Sequence, residues 1–282
     1  MKRWHAVRAL AYLVLACGVI LYLGPFLIQV VTSFKTDPDA AANPVSLVPD
    51  PGTLDAWRGV NGDNPAIRIP ADRWLANSFI VTVSVTLGRV ALSSLAGYAL
   101  ARLRFPGRRI VNAGLLAVLA VPGIVLLIPK FLVLQRLHIF DTYTAMILPL
   151  LADAVSILLM KAAFEAVPYE IEEAAIIDGA GVFTRFRRIV LPLTVPALVT
   201  VVIISFQGSW NEFTYFLVAT SDPDKATLTL GIARLSRGDL RGATEFPLRL
   251  ALATLSTLPI AIVYVFFSRH FTRSAASTGI KG

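Results

Sequence analysis

The sequence predicts an all-α membrane protein with six transmembrane helices and a short cytoplasmic helical segment between spans 4 and 5. Three observations carry the prediction. Hydrophobic residues make up 56% of the chain and charged residues only 16%, with mean hydropathy +0.69, whereas a soluble domain carries about 25% charged residues. Apolar runs recur near 10–32, 77–101, 110–130, 142–164, 192–217 and 248–268, each about long enough to cross a bilayer as helix. Basic residues gather in the short connections between the runs. A span in lipid must satisfy its own backbone hydrogen bonds, so each run is read as helix. Pro25, Pro122, Pro129, Pro149, Pro196 and Pro259 fall inside or at the ends of runs. They are tolerated where neighbouring helices or local unwinding satisfy the freed carbonyl.

The first run follows Lys2, Arg3 and Arg8, as in a signal peptide. Val14-Leu15-Ala16-Cys17 is loosely like a lipoprotein cleavage box, yet the run stays apolar to Val31. It is therefore read as an uncleaved helix with Cys17 as ordinary packing. One cysteine excludes an internal disulfide framework and a cysteine-based metal cluster. Arg102, Arg104, Arg108 and Arg109 follow span 2, Arg185, Arg187 and Arg188 follow span 4, and both termini are basic. Placing all four regions on the cytoplasmic side obeys the positive-inside rule. The net charge of +8 is thereby explained by membrane anchoring, with no nucleic-acid partner. The loop 33–76, rich in Pro, Gly, Asn and Asp, then faces outward. Residues 218–247 also face outward by parity, although they carry Lys225, Arg234, Arg237 and Arg241. Long loops weigh less in the rule; a basic outer loop is also a candidate docking surface. No internal repeat is visible, which argues against a transporter built from inverted repeats.

The connection 165–191 has a physical shape of its own. Pro168 suits the first turn of a short helix, where its missing N–H costs nothing. Glu170, Glu172 and Glu173 then lie near that helix's positive end. Ala174 and Ala175 are small helix formers, and Gly179 and Gly181 supply a sharp turn. Residues 182–190 are expected to form a second short helix, with Arg185, Arg187 and Arg188 toward its negative end. Leu191-Pro192 closes it and opens span 5. The product is a compact helix-turn-helix knob; an ordinary amphipathic loop is the alternative.

The spacing within this knob is specific: Glu173-Ala174-Ala175, three residues, Gly179, nine residues, Ile189, one residue, Leu191-Pro192. It resembles the cytoplasmic coupling loop in the membrane subunits of ABC importers. Further stretches occur in order: Asn77-Ser78; Gly97-Tyr98-Ala99-Leu100-Ala101-Arg102 with Phe105-Pro106-Gly107-Arg108-Arg109; Leu126-Leu127-Ile128-Pro129; Asp141-Thr142-Tyr143 with Leu148-Pro149; and Gly208-Ser209-Trp210-Asn211-Glu212. With them the chain from about residue 74 onward resembles the smaller six-span permease of a maltose-type, carbohydrate-class importer. The resemblance implies a permease subunit forming half of a path for a sugar or sugar-like solute. It implies coupling through Glu172, Glu173, Ala174, Ala175, Asp178, Gly179, Gly181, Arg185, Arg188, Ile189, Leu191 and Pro192. The partners it implies are a second homologous permease, two ATPase subunits or domains, an extracytoplasmic solute-binding protein and the lipid bilayer. The implied location is the inner membrane, multi-pass, with both termini cytoplasmic. The resemblance places ATP and magnesium in the partner ATPase and implies no cofactor on this chain, which contains no Gly-Lys dipeptide, hence no phosphate-binding loop of the usual form, and is not itself the usual ATPase. Relatives end in a glycine-spaced tail that in some reaches the ATPase; here Arg273-Ser274 stands where an earlier glycine is common. Disorder is the other reading of that tail.

Polar residues within spans are the remaining candidates. Arg89 and Asp153 lie near mid-span, where a charge costs about 2.5–3.5 kcal/mol and usually faces a cavity or partner. They are read either as an interhelical pair or as lining of a solute path. Gln207, Asn211 and Tyr215 share a helix face by i, i+4 spacing, beside Trp210. Aromatic rings next to amides suit a sugar, and they also suit a membrane interface. His5, His138 and His270 are scattered and make no metal site. Competing classes are the same machine carrying glycerol phosphate or a peptide, a stand-alone transporter or channel, and a membrane enzyme. An enzyme would need paired carboxylates, a histidine cluster or a Ser-Lys dyad at one depth, and the sequence shows none.

Overall fold

Three helices are long and apolar enough to cross a membrane. They are α1 (Lys2–Thr32), α4 (Ala71–Arg102) and α15 (Phe246–Thr278). The structure, a computed structural model, describes residues 2–63, 69–236 and 246–278, and every regular element among them is helical. Three further helix pairs pass the same test only together, because each is bent. Taking each pair as one span gives up to six.

The bends fall within runs that hydropathy alone presents as continuous. The run expected at 110–130 is α5 (Arg108–Leu119), then a 3-10 turn Gly123–Leu126 and α6 (Leu127–Arg136), with a bend of 102°. Pro122 heads the turn and has no N–H to continue α5. The run at 142–164 is α7 (Tyr143–Ile147), a 3-10 turn Leu148–Leu150 and α8 (Ala154–Glu165), bent by 41°. The run at 192–217 is not one helix either. The chain bends by 83° before α12 (Val195–Trp210). It leaves the helix again after Trp210, and α13 (Thr214–Ala219) starts afresh, with the Glu212 carboxylate accepting the Tyr215 N–H at 2.8 Å.

The chain divides into two compact units, residues 1–72 with 231–258, and residues 73–230 with 259–282. In the first unit, Gln29 of α1 donates to the Thr254 hydroxyl at 3.3 Å. Cys17 is exposed rather than packed: no residue from Leu10 to Val31 is buried within this chain. The segment after α1 is more ordered than a polar loop. It holds α2 (Asp37–Ala42) and α3 (Asp55–Val60). Lys35 is buried, with its ammonium on the Asn43 carbonyl at 2.6 Å. Asp39 accepts the Asp50 N–H and the Asn43 amide, each at 3.0 Å. Those bonds, the Asp50 N–H foremost, hold the Asp39 carboxyl below its ordinary range against the opposing effect of burial.

In the second unit α4 lies against α8. A Cβ on Gly97 would stand 2.8 Å from Met160 Cβ and 2.9 Å from the Lys161 nitrogen, so only glycine permits this approach. At the N-terminal end of α4, Asn77 donates to the carbonyls of Asp224 and Ala226 at 2.8 and 2.9 Å. It accepts the Tyr143 hydroxyl at 2.6 Å. The Ser78 hydroxyl takes the N–H of Leu228, the first residue of α14 (Leu228–Ser236), at 2.8 Å. At the other end a cluster of Tyr98, Met160, Phe164, Val167, Phe186, Val190 and Val201 forms the base on which the 168–192 segment sits.

Candidate coupling site

The segment after α8 folds as a knob because local sequence ends each piece sharply. α9 (Tyr169–Ile177) starts after Pro168, which occupies the N-cap rather than the first helical turn. Gly179, at φ +79, ends it. The Gly179 N–H bonds the Ile176 carbonyl at 3.0 Å and the Ala180 N–H bonds that of Ala175 at 2.9 Å, the double bond of a Schellman cap. The expected second helix over 182–190 is α10 (Val182–Arg185) running into a wider π turn, Phe186–Val190. The Leu191 N–H reaches back five residues to the Phe186 carbonyl. A three-residue helix α11 (Leu191–Leu193) follows, with Pro192 inside it.

Glu172 sits at the centre of this knob and is buried. One carboxylate oxygen accepts the Tyr98 hydroxyl at 2.5 Å and Arg185 Nε at 3.3 Å. The other lies 3.4 Å from Arg102 Nε. Arg102 also donates to the carbonyls of Phe164 and Val167, and its guanidinium stands 5.6 Å from the centre of the Tyr169 ring. Arg185 donates to the Ala180 carbonyl at 3.1 Å. A buried carboxylate is tolerable when it is paired and hydrogen-bonded, and here it meets two guanidiniums and a phenol. The result ties the end of α4, the α8–α9 turn, α9 and α10 into one body. Below it, Tyr98, Phe164 and Phe186 contact one another with ring centroids 5.1–6.2 Å apart.

The outer face has the opposite character. Ile177 is 85% exposed and Phe183 65%, with Ile171, Ile176 and Val182 also exposed. Glu173, Ala174, Asp178, Gly179, Gly181, Arg188 and Pro192 share that exposure. The sequence-predicted set therefore splits. Ala175 is buried, Ile189 and Leu191 pack against the aromatic base, and Glu172 and Arg185 point inward. Tyr98, Arg102 and Phe186 were not among the predicted site residues. Their signal in the sequence is slight: Tyr98 and Arg102 are an i, i+4 pair at the C-terminal end of α4.

The polar span residues do not assemble as one patch. Arg89 donates through Nε and Nη2 to the Leu150 carbonyl at 2.9 and 2.7 Å. Asp153 caps α8, accepting the Ser156 N–H at 2.8 Å and its hydroxyl at 2.5 Å. The direct Arg89–Asp153 pair is not formed; each residue instead satisfies one side of the break between α7 and α8. Trp210 is buried, stacked on Phe206 and edge-on to Phe79. Tyr215 is buried, with its hydroxyl on the Ala145 carbonyl. The break after Trp210 removes Tyr215 from the face of Gln207 and Asn211, which alone of these four are exposed. Of the basic residues expected in the 218–247 loop, Lys225 bonds Asp222 at 2.5 Å, while Arg237 and Arg241 lie outside the described residues, as do tail residues 279–282.

This architecture, bent apolar helices carrying a helical knob between the fourth and fifth candidate spans, defines an inner-membrane permease component. The match to known proteins agrees. Residues 90–277 fit the family model described as "Binding-protein-dependent transport system inner membrane component", and the chain belongs to that family. The trehalose/maltose transport system permease protein MalG of Thermococcus litoralis is 33% identical over 265 residues, covering 93% of each chain. The sn-glycerol-3-phosphate transport system permease protein UgpE of Yersinia pestis is 31% identical over 267 residues, again 93% of each. A chain from the crystal structure of a bacterial ABC transporter that imports the acidic polysaccharide alginate superposes with a TM-score of 0.81 at 20% identity. The match covers 96% of this chain and 98% of that one, and shows the shared fold.

Proposed function

We propose that this permease carries a sugar or sugar-like solute, forming half of the pathway beside a second homologous permease, and that residues 168–192 receive the stroke of a partner ATPase. ATP and magnesium bind in that partner, and both termini of this chain lie in the cytoplasm. One observation carries the reading: the knob has an apolar outer tip and a buried ionic root. An exposed apolar patch of this kind marks an interface. A root built on Glu172, Arg102, Arg185 and Tyr98 lets displacement of the tip move α4 and α8 as a rigid body. The exposed amides of Gln207 and Asn211 suit the hydroxyls of a neutral solute. A second solute, glycerol phosphate, is favoured by the relative named for it.

The test uses Ile177, the most exposed large hydrophobic residue of the tip. In a Cys17→Ser background, Ile177→Cys should cross-link to the ATPase subunit in intact membranes. No ATPase adduct would end the coupling reading. Calorimetry of the partner binding protein with maltose against sn-glycerol-3-phosphate decides the solute.

A further inference from the structure

We infer that the loop between α4 and α5 holds a binding site for the phosphate of an anionic membrane phospholipid. Arg104, Phe105, Gly107, Arg108, Arg109 and Ile110 line one groove of about 510 Å³. The side chains of Arg104 and Arg109 form no hydrogen bond or ion pair with any described residue. Arg108 bonds the Ala101 carbonyl at 3.3 Å and lies 3.9 Å from Glu165. Glu165 is already held by Lys161 at 3.0 Å. Among the described residues, Arg108 and Lys161 therefore share one carboxylate, and Arg104 and Arg109 pair with none.

The site is built for a phosphodiester that is anchored in a bilayer. Guanidinium groups grip phosphate oxygens in pairs. The groove also opens onto the start of α5, a twelve-residue helix capped by Gly107 at φ 84, with no acidic residue in its first turn and no side-chain cap. Its first amides add to the positive field. Apolar surface follows at once: Phe105 is 37% exposed and Ile110 77%, and α5 buries none of its residues within this chain. Val111, Leu116, Val118 and Leu119 stay exposed along it. An acyl chain lying on that helix would leave its headgroup among the arginines. A soluble anion would have no use for the apolar lane. Basic pockets at the cytoplasmic edge of membrane helices recognise anionic headgroups in this way. The inference rests on the proposed function for one point, the cytoplasmic side of the loop.

The experiment uses the whole importer complex in nanodiscs containing phosphatidylcholine and phosphatidylglycerol. Lipid retained through a detergent wash is counted by mass spectrometry. The wild type should retain phosphatidylglycerol in preference, and Arg104→Gln with Arg109→Gln should cut that preference roughly thirtyfold, two surface arginines being lost. Neither side chain bonds another described residue, so folding should be spared. An unchanged preference overturns the inference. So does release of the lipid by inorganic phosphate, which would make this a free-anion site. A photo-reactive group at Phe105 that captures the ATPase instead of lipid would also overturn it, assigning the groove to a protein. The Ile177 cross-link is scored in the same preparation. Its loss with lipid preference intact fells the coupling reading and leaves phospholipid binding standing without its cytoplasmic assignment; the converse result fells the lipid site alone.

Discussion

Glu172 and Glu173 are chemically identical neighbours with opposite tasks. Helix geometry turns one into the protein and the other out, and no feature of the local sequence announces which. Glu172 has Tyr98, Arg102 and Arg185 around it, so Glu172→Gln leaves two guanidiniums without their counter-charge. A loss of about 1–3 kcal/mol is expected, seen as a lower unfolding temperature in detergent. On the proposed coupling, ATP hydrolysis by the assembled complex should then persist with reduced uptake, the tip still docking while its root slips. Gly179 is the second residue-scale test. At φ +79 a β-branched side chain is strained by about 1–2 kcal/mol. Gly179→Val should abolish coupled uptake while membrane insertion, followed by cell fractionation, stays normal. Gly97→Leu acts elsewhere: even the first added carbon meets Met160 and the Lys161 backbone under 3 Å, so α4 and α8 must part. Overpacking of this sort costs about 1–3 kcal/mol, and a thermal melt equal to wild type would contradict the contact.

Among the elements, the segment between α1 and α4 differs most from its sequence reading. Pro, Gly, Asn and Asp read as a loop without assigned elements, but the same residues are helix caps and turn formers. Thr36 caps α2, and Asp39 joins it to Asp50. The Asp39 carboxyl is held below its ordinary 3.8, first by the Asp50 N–H and then by Asn43. A depressed carboxylate stabilises the folded form above its unfolded value, and that contribution disappears as pH falls through the folded one. Pepsin should therefore cut within residues 33–62 increasingly as the medium is taken below about pH 4, and Asp39→Asn should remove that pH dependence. The knob was more legible. Pro168, Gly179 and Leu191-Pro192 end its pieces by backbone chemistry that any reader of the sequence can apply. The π turn at 186–190 was not, because it depends on how Phe186 and Val190 meet the base of Tyr98 and Phe164.

For the whole molecule the decisive question is whether each bent pair crosses the bilayer. If all three cross, Leu137 lies on the opposite side of the membrane from Phe105 and Ile177, the outer side in the proposed orientation. If the first bent pair is re-entrant, Leu137 returns to the side of Phe105. In a Cys17→Ser background, Leu137→Cys should react with an impermeant maleimide added outside intact spheroplasts, and Phe105→Cys only after lysis. Equal labelling from one side would reduce the number of crossings. By itself the sequence determined the class: apolar runs, basic connections and the spacing from Glu173 to Pro192 are local properties, and lipid allows few backbone solutions for them. Tertiary structure alone decided the rest. It placed Glu172 inside and Ile177 outside, sent Arg89 to the Leu150 carbonyl instead of Asp153, and buried Trp210 and Tyr215. Tyr98 for Glu172, the Leu150 carbonyl for Arg89 and the Ala145 carbonyl for Tyr215 each lie 60 or more residues away along the chain, and periodicity carries no information at that range.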